Sequence, residues 1–211
     1  MTISQLLPIH SQVGRFATRL QYLVLGLVVM TSEPSTSMAQ TAHSHIQDTQ
    51  QNPAGRGQQS QANALVKIIR ESLDRFKEVK VAMAEGYALQ FGCVTGSDSG
   101  AMGLHYVNGD LVGSGILDAT RPQMVIYEPN PDGSLKLIGV DYLVFADAWN
   151  KTHSAPPQLM GQLFHLFEAP NRFGLPAFYT LHVWVWKENP NGAFVNWHPH
   201  VSCDSFAGQN R

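Results

Sequence analysis

The sequence predicts an α+β domain with one N-terminal amphipathic helix packed on a mainly antiparallel sheet with long loops. Two observations carry this prediction. One segment has helical periodicity, and several short apolar segments separated by turn-forming residues follow it. A composition of 44% hydrophobic and 14% charged residues is typical of a globular chain with one core.

The helix is predicted between residues 65 and 87, where apolar side chains recur at steps of three or four. This is the spacing of a helix with one buried face. Asn63 or Ser60 is suited to cap its start, and Gly86 to mark its end. The apolar positions are Leu65, Ile69, Leu73, Phe76, Val79, Met83 and Tyr87.

The strands are predicted after this helix. Residues 92–101 are rich in glycine and serine and are expected to form a loop, followed by a strand over residues 102–108. A Pro-Asn-Pro-Asp-Gly-Ser turn separates two apolar segments, so residues 123–144 should form a β-hairpin.

The C-terminal part of the domain is expected to continue the sheet. Residues 146–150 suit a helical turn, and residues 162–168 suit either a short strand or a helical turn. Residues 177–187 are apolar on both alternating faces, which is typical of a central strand.

The N-terminal 62 residues differ from the rest of the chain. Residues 1–39 have the layout of a secretory signal peptide, with arginines, a short apolar run and small residues before Gln40. Residues 40–62 are rich in glutamine and poor in large apolar side chains, so we expect a disordered linker. Residues 63–206 are long enough for one α+β domain.

The leader indicates an exported protein, periplasmic or extracellular. Its apolar run is shorter than the roughly 20 residues of a spanning helix, so we expect no integral membrane span after signal cleavage. A net charge of −2 gives no basic footprint for nucleic acid. A small molecule or a component of the cell envelope remains as the expected partner.

The chain has two cysteines, Cys93 and Cys203. An exported chain meets an oxidising environment, which favours a disulfide between them. Two free buried thiols, or one cysteine acting as a ligand or nucleophile, are the alternatives. The sequence contains no Cys-x-x-Cys motif, so a dithiol redox centre is not expected.

Histidines inside apolar segments are the sharpest functional signal. A desolvated imidazole needs a partner, and one shared metal ion would satisfy several at once. Acidic residues in the same apolar segments are costly to bury unless they too are paired. The histidines are His105, His165 and His182, and the acids are Glu128, Asp141 and Glu168.

Three imidazoles with one or two carboxylates form a ligand set that zinc, iron, manganese or copper can use. In this hypothesis His105, His165 and His182 are metal ligands, with Glu128 as a fourth. Glu168 or Asp141 completes the shell or acts as a general base. The alternative is that the histidines and acids pair with one another as ordinary core contacts.

Four motifs, in this order and preceded by His105 and Tyr106, resemble the oil-body-associated protein family and its bacterial relatives over about residues 102–186. The motifs are Arg-Pro-Gln-Met-Val-Ile-Tyr-Glu at 121–128, Leu-Ile-Gly-Val-Asp-Tyr-Leu-Val at 137–144, His-Leu-Phe-Glu at 165–168 and Leu-His-Val-Trp at 181–184. The family is largely without assigned activity, so the resemblance implies only shared polar positions. These are His105, Glu128, Asp141, His165 and His182.

The export signal and the cysteine pair depart from the plant members of that family, and lipid-droplet association does not transfer. The sequence thus predicts an exported protein with a candidate divalent-metal site. Metal-assisted hydrolysis or oxidation is the expected reaction class if the protein is an enzyme. A non-enzymatic ligand-binding or structural domain is the alternative.

Overall fold

The computed structural model describes residues 53–96 and 98–208. The predicted signal peptide, and the part of the predicted linker before residue 53, lie outside the described residues. No helix among the described residues is long and apolar enough to cross a membrane.

The N-terminal part of the described chain is helical. Helix α1 begins at Pro53, a residue suited to the first turn of a helix because it needs no amide partner there. Residues 53–62, which the sequence assigned to the linker, are the first ten residues of α1. Glutamine, alanine and arginine in this segment are good helix formers even where they stay exposed. The helices are α1 (Pro53–Leu73), a 3₁₀ turn (Asp74–Lys77), α2 (Val79–Ala84), α3 (Gly109–Ser114) and α4 (Ala146–Asn150).

Six strands form one antiparallel sheet in the order β1-β2-β3-β4-β8-β7, and two short strands, β5 and β6, pair separately. The α+β class is therefore confirmed. The strands are β1 (Tyr87–Gly96), β2 (Gly100–Asn108), β3 (Met124–Pro129), β4 (Leu135–Phe145), β5 (Gln158–Leu159), β6 (Gln162–Leu163), β7 (His165–Phe167) and β8 (Phe178–Trp184).

Several local predictions are confirmed. Strands β3 and β4 form the predicted hairpin, α4 is the predicted helical turn, and β8 lies between β4 and β7 with every residue buried. The residues between 162 and 168 are strands β6 and β7 rather than a helical turn.

Two local predictions are wrong. Residues 92–96 belong to β1 and residues 100–101 to β2, and these strands pair as a hairpin instead of forming the expected loop. The pairing register shifts between Gln90 and Cys93 and again between Val94 and Thr95, as at β-bulges. The predicted helix over 65–87 is also divided. It breaks at the 3₁₀ turn, Met83 is exposed, and Tyr87 already belongs to β1.

The sheet has two buried faces, because side chains alternate along every strand. One, here called the tyrosine face, carries Tyr127 and Tyr142 and belongs to the main hydrophobic core, which also contains Leu65, Ile69 and Leu73 of α1. The other, here called the histidine face, carries His105 on β2, Asp141 on β4 and His182 on β8. The face on which a side chain lies therefore decides whether it belongs to the tyrosine face, with the main core, or to the histidine face.

The predicted disulfide is present between Cys93 of β1 and Cys203, with 5.8 Å between the Cα atoms. The bond joins two residues that are 110 positions apart, and it attaches the C-terminal segment to the sheet. A ring of this size restricts the unfolded chain strongly. The backbone of His198 pairs with Ala101 of β2 and holds the same segment at a second point.

Candidate metal centre

Strand register brings three polar side chains together on the histidine face. Asp141 lies directly opposite His182 in the β4–β8 pair. His105 lies opposite Ile126 on β3, and Met124, two residues before Ile126 on the same face, lies opposite Asp141. Each side chain is only 3 to 5% exposed. A cluster of this kind is costly to bury unless its members satisfy one another or a shared ion.

The distances within the cluster resemble those between the ligands of one metal ion. His105 Nε2 is 3.4 Å from His182 Nε2, and His182 Nε2 is 3.6 Å from Asp141 Oδ2. One ligand atom from each of the three residues lies within 4.8 Å of the others. Ligand atoms about 2.0–2.2 Å from a tetrahedral zinc ion are separated by about 3.3 Å. The observed spacing therefore suits a small divalent cation.

Contacts outside the cluster orient two of the three side chains. His105 Nδ1 lies 3.2 Å from the carbonyl oxygen of Gly103, which only accepts, so Nδ1 carries the proton and Nε2 has a free lone pair. The Thr180 hydroxyl donates to Asp141 Oδ1 at 2.5 Å, which leaves Oδ2 directed at His182. Such outer contacts fix ligand orientation in metal sites.

The third side chain has a less complete outer contact. Neither His182 Nδ1 nor Asn196 Oδ1 has a hydrogen-bond partner within ordinary geometric limits, and both atoms are buried. The Asn196 side chain is nevertheless close enough to raise the pKa of His182 against the stronger effect of burial. An Nδ1–H directed toward this amide oxygen would leave His182 Nε2 unprotonated.

Burial sets the protonation of the cluster. It lowers the pKa of His105 to about 4, assisted by His182, and lowers the pKa of His182 to about 3. It raises the pKa of Asp141 to about 6, against the opposing effects of His105 and Thr180. Near neutral pH the imidazoles are therefore neutral and the carboxylate is ionised. This is the protonation state in which all three bind a metal, and His182 and Asp141 are then not an ion pair.

An apolar pocket with about 360 Å³ of empty volume, part of it open to solvent, lies in front of the cluster. Among the described residues, its polar lining consists of His105, Asp141, His182 and Thr180. The rest of the wall is phenylalanine, leucine, methionine and valine. The cluster is thus the polar end of an otherwise apolar cavity.

The structure brings together some of the predicted site residues and not others. His105, His182 and Asp141 form the cluster that could hold a metal ion. His165 is exposed on β7 opposite Thr180, and its Nε2 lies 3.3 Å from the carbonyl oxygen of Phe194. It is a neighbour of the cluster, since its charge would lower the pKa of His182.

The other two predicted acids lie elsewhere. Both oxygens of Glu128 accept from Lys187 Nζ at 2.7 Å, and Glu128 Oε1 also accepts from the backbone N–H of Ser202. Glu168 is exposed, and its backbone carbonyl accepts from Asn171. Neither residue belongs to the group that could hold a metal ion.

Sequence reasoning missed the supporting residues. Thr180 is two residues from His182 on one face of β8, so the alternation of the strand offered a signal for it. Asn196 lies in a turn-rich tail and Phe91 at a bulge, and no local pattern marks either as part of a site.

Comparison of the chain with family models, with curated proteins and with solved structures gave no match. The resemblance to the oil-body-associated family stays a prediction. The functional argument therefore depends on the geometry of the cluster and its pocket.

Proposed function

We propose that this protein is an exported metalloprotein that binds one divalent transition metal through His105 Nε2, Asp141 Oδ2 and His182 Nε2. The observation that carries the proposal is the convergence of these three buried atoms, two of them imidazole nitrogens 3.4 Å apart. When both Nε2 atoms lack a proton, their lone pairs are directed at each other at that distance. A shared cation removes the conflict and pairs the buried carboxylate at the same time.

The donor set favours a particular class of metal. Two imidazole nitrogens and one carboxylate oxygen suit zinc, iron(II), manganese or copper better than calcium or magnesium, which prefer oxygen ligands. Three protein ligands leave at least one coordination position open, as in catalytic rather than structural metal sites. A metal bound here would lower the pKa of a bound water or polarise a carbonyl, the chemistry of assisted hydrolysis or oxidation.

His165 is proposed as an outer residue of this centre. It lies on the same sheet face as Thr180, beside the cluster and exposed to solvent. An exposed imidazole beside the cluster is suited to carry protons between solvent and a metal-bound group.

Export is part of the same proposal. A disulfide together with the absence of a spanning helix from the described residues is compatible with a periplasmic or extracellular protein. The N-terminal layout of residues 1–39 supports this location.

Elemental analysis tests the proposal directly. The protein is purified from an exported preparation without a histidine tag, and its metal content is measured by mass spectrometry. We expect about one equivalent of a transition metal, and its loss in His105→Gln and His182→Gln. The matched control is His200→Gln, an exposed histidine outside the cluster that should keep full stoichiometry.

One result decides against a metal centre. If the purified protein is metal-free and takes up no zinc, iron, manganese or copper on dialysis, His105 and His182 are core contacts. One Nε2–H would then donate to the other Nε2. The protein would then be a non-enzymatic domain that binds a ligand in its apolar pocket.

A further inference from the structure

We propose that the pocket in front of the centre takes a small monoanion with an apolar, preferably aromatic body, whose oxygen occupies the open position on the metal. This inference rests on the proposed metal site and adds the chemical class of its ligand. Carboxylates and phenolates are the simplest members of that class.

The wall of the pocket selects the body of the ligand. Its floor is buried and contains Leu143 and Phe178, while Phe91 and Phe173 form a half-buried rim. The rings are in edge-to-face contact, with Phe91 and Phe173 at 5.8 Å between centroids and Phe173 and Phe178 at 6.2 Å. A wall of this kind gives an aromatic or short alkyl group its binding energy by excluding water.

The rim is held at a conformational cost. Phe91 has φ of +66°, a region that side-chain-bearing residues rarely adopt, and it lies at the bulge of β1. Non-glycine residues held in this region concentrate at binding sites. Here the bulge places the ring of Phe91 in the wall of the pocket. A residue in regular strand conformation at this position would not place its side chain there.

The charge of the loaded centre selects the head of the ligand. With neutral imidazoles and an ionised Asp141, a divalent metal leaves a net charge of +1 inside an apolar cavity. Among the described residues that line the pocket, Asp141 is the sole acidic residue, and no second carboxylate offsets the remaining charge. An uncompensated charge in such surroundings is costly, so a monoanionic oxygen ligand is favoured over a neutral one.

The composition of the pocket wall also predicts that an anionic ligand binds only when the metal is present. No lysine or arginine is among the described pocket-lining residues, so the wall offers no cationic side chain to bind an anion. Without metal, the Asp141 carboxyl group offers an anionic ligand no attraction. Binding of an aromatic anion therefore depends on the metal, whereas purely hydrophobic binding would not.

Cobalt(II) substitution reports both metal binding and ligand binding in one experiment. Cobalt(II) is added to metal-depleted protein, and its visible absorption bands report occupation of the centre. Benzoate, acetate and benzamide are then titrated separately. We expect benzoate to shift the bands and to bind at least about tenfold more tightly than acetate, because its ring buries apolar surface. Benzamide, which is neutral, should bind more weakly than benzoate.

A rim variant tests the wall independently of the metal. Phe173→Ala should weaken benzoate about fivefold or more while leaving acetate affinity and the cobalt bands unchanged. Phe206→Ala, a half-buried phenylalanine outside the pocket, is the matched control and should change neither. The unchanged cobalt bands verify that the variant is folded around the centre.

The outcomes separate this inference from the proposed function. If cobalt(II) gives no bands, the metal site and the ligand class both fail. If the bands appear but benzoate leaves them unchanged, or binds no better than acetate, the metal site stands and the ligand class is wrong. Equal benzoate binding with and without metal also contradicts the inference.

Discussion

The two faces of the sheet bury polar side chains in opposite ways. On the tyrosine face, the hydroxyls of Tyr87, Tyr127 and Tyr142 each donate to a backbone carbonyl at 2.7 Å. On the histidine face, Asp141 and the imidazoles of His105 and His182 are directed at one another, with 3.4 Å between the two Nε2 atoms and 3.6 Å between His182 Nε2 and Asp141 Oδ2.

The difference lies in what completes each arrangement. Each tyrosine has its partner in the chain itself, so that face needs nothing further for stability. On the histidine face, two imidazole nitrogens and one carboxylate oxygen face the same space. These three atoms are all hydrogen-bond acceptors when deprotonated, and there are too few N–H or O–H groups among them to pair each one. The first arrangement is typical of a structural core, and the second of a site that binds something.

The largest effect on stability should come from the disulfide, which lies on the structural side of this comparison. Replacing Cys93 and Cys203 together by serine should lower the free energy of unfolding by about 4 to 5 kcal/mol, since the bridge closes a long ring. Cys93 belongs to the main core and not to the pocket. Denaturant melts measure the loss, and metal stoichiometry at low temperature should stay near that of the wild type. Loss of metal in a folded variant would mean that the two faces are not independent.

Asp141→Asn should show the opposite behaviour. Removing a carboxylate ligand should weaken metal binding at least about a hundredfold, since even outer contacts are worth about 10–100-fold. The metal-free variant should be as stable as the wild type or more stable, because an ionised buried group is removed while Thr180 keeps an acceptor. Competition with a chelator and thermal melts of the metal-free protein measure the two effects. A large drop in melting temperature would instead make Asp141 a structural residue.

Tyr127→Phe removes a polar contact of the tyrosine face. The hydroxyl donates to the carbonyl of Phe76, so its loss should destabilise the protein by about 0.5–1.5 kcal/mol. Metal affinity should not change, because Tyr127 points away from the pocket. Chemical denaturation with and without metal provides the test, and Tyr179→Phe, a half-buried contact to Asn150, is the matched control with a smaller expected effect.

The last effect is absent at neutral pH and appears only at alkaline pH. Burial, with the nearby Glu85 carboxylate, raises the pKa of Tyr87 to about 12 from its ordinary 10. The unfolded state therefore loses this proton first, and stability falls as pH rises from about 10 toward 12. In Tyr87→Phe the decline of melting temperature over this range should be shallower than in the wild type. Identical slopes in both proteins would exclude a contribution from Tyr87.

The site was partly predictable from the sequence. His105, Asp141 and His182 are each polar residues in apolar strands, and burial of such groups requires partners wherever the strand lies. Glu128 has the same local appearance as Asp141, yet it pairs with Lys187, 59 residues away. Local composition cannot distinguish these two outcomes, because strand register decides which distant side chain each carboxylate meets.

The fold was predictable to a similar extent. The β3–β4 hairpin follows from a strong turn between apolar segments, and β8 from its alternation. The β1–β2 hairpin was missed because glycine and serine are poor strand formers, and only backbone pairing with β2 makes a strand of that segment. The break of the helix after Leu73 was missed because apolar residues continue past it at helical spacing.

The sequence by itself determined the class of the fold, the hairpin, the central strand and the presence of polar residues, His105, Asp141 and His182 among them, inside apolar strands. Those features depend on local propensity and on the cost of burying a polar group, which hold in any arrangement. Tertiary structure alone decided that three of those residues share one face and that four phenylalanines close a pocket over them. Convergence depends on strand order and register, and these are set by packing across the whole sheet.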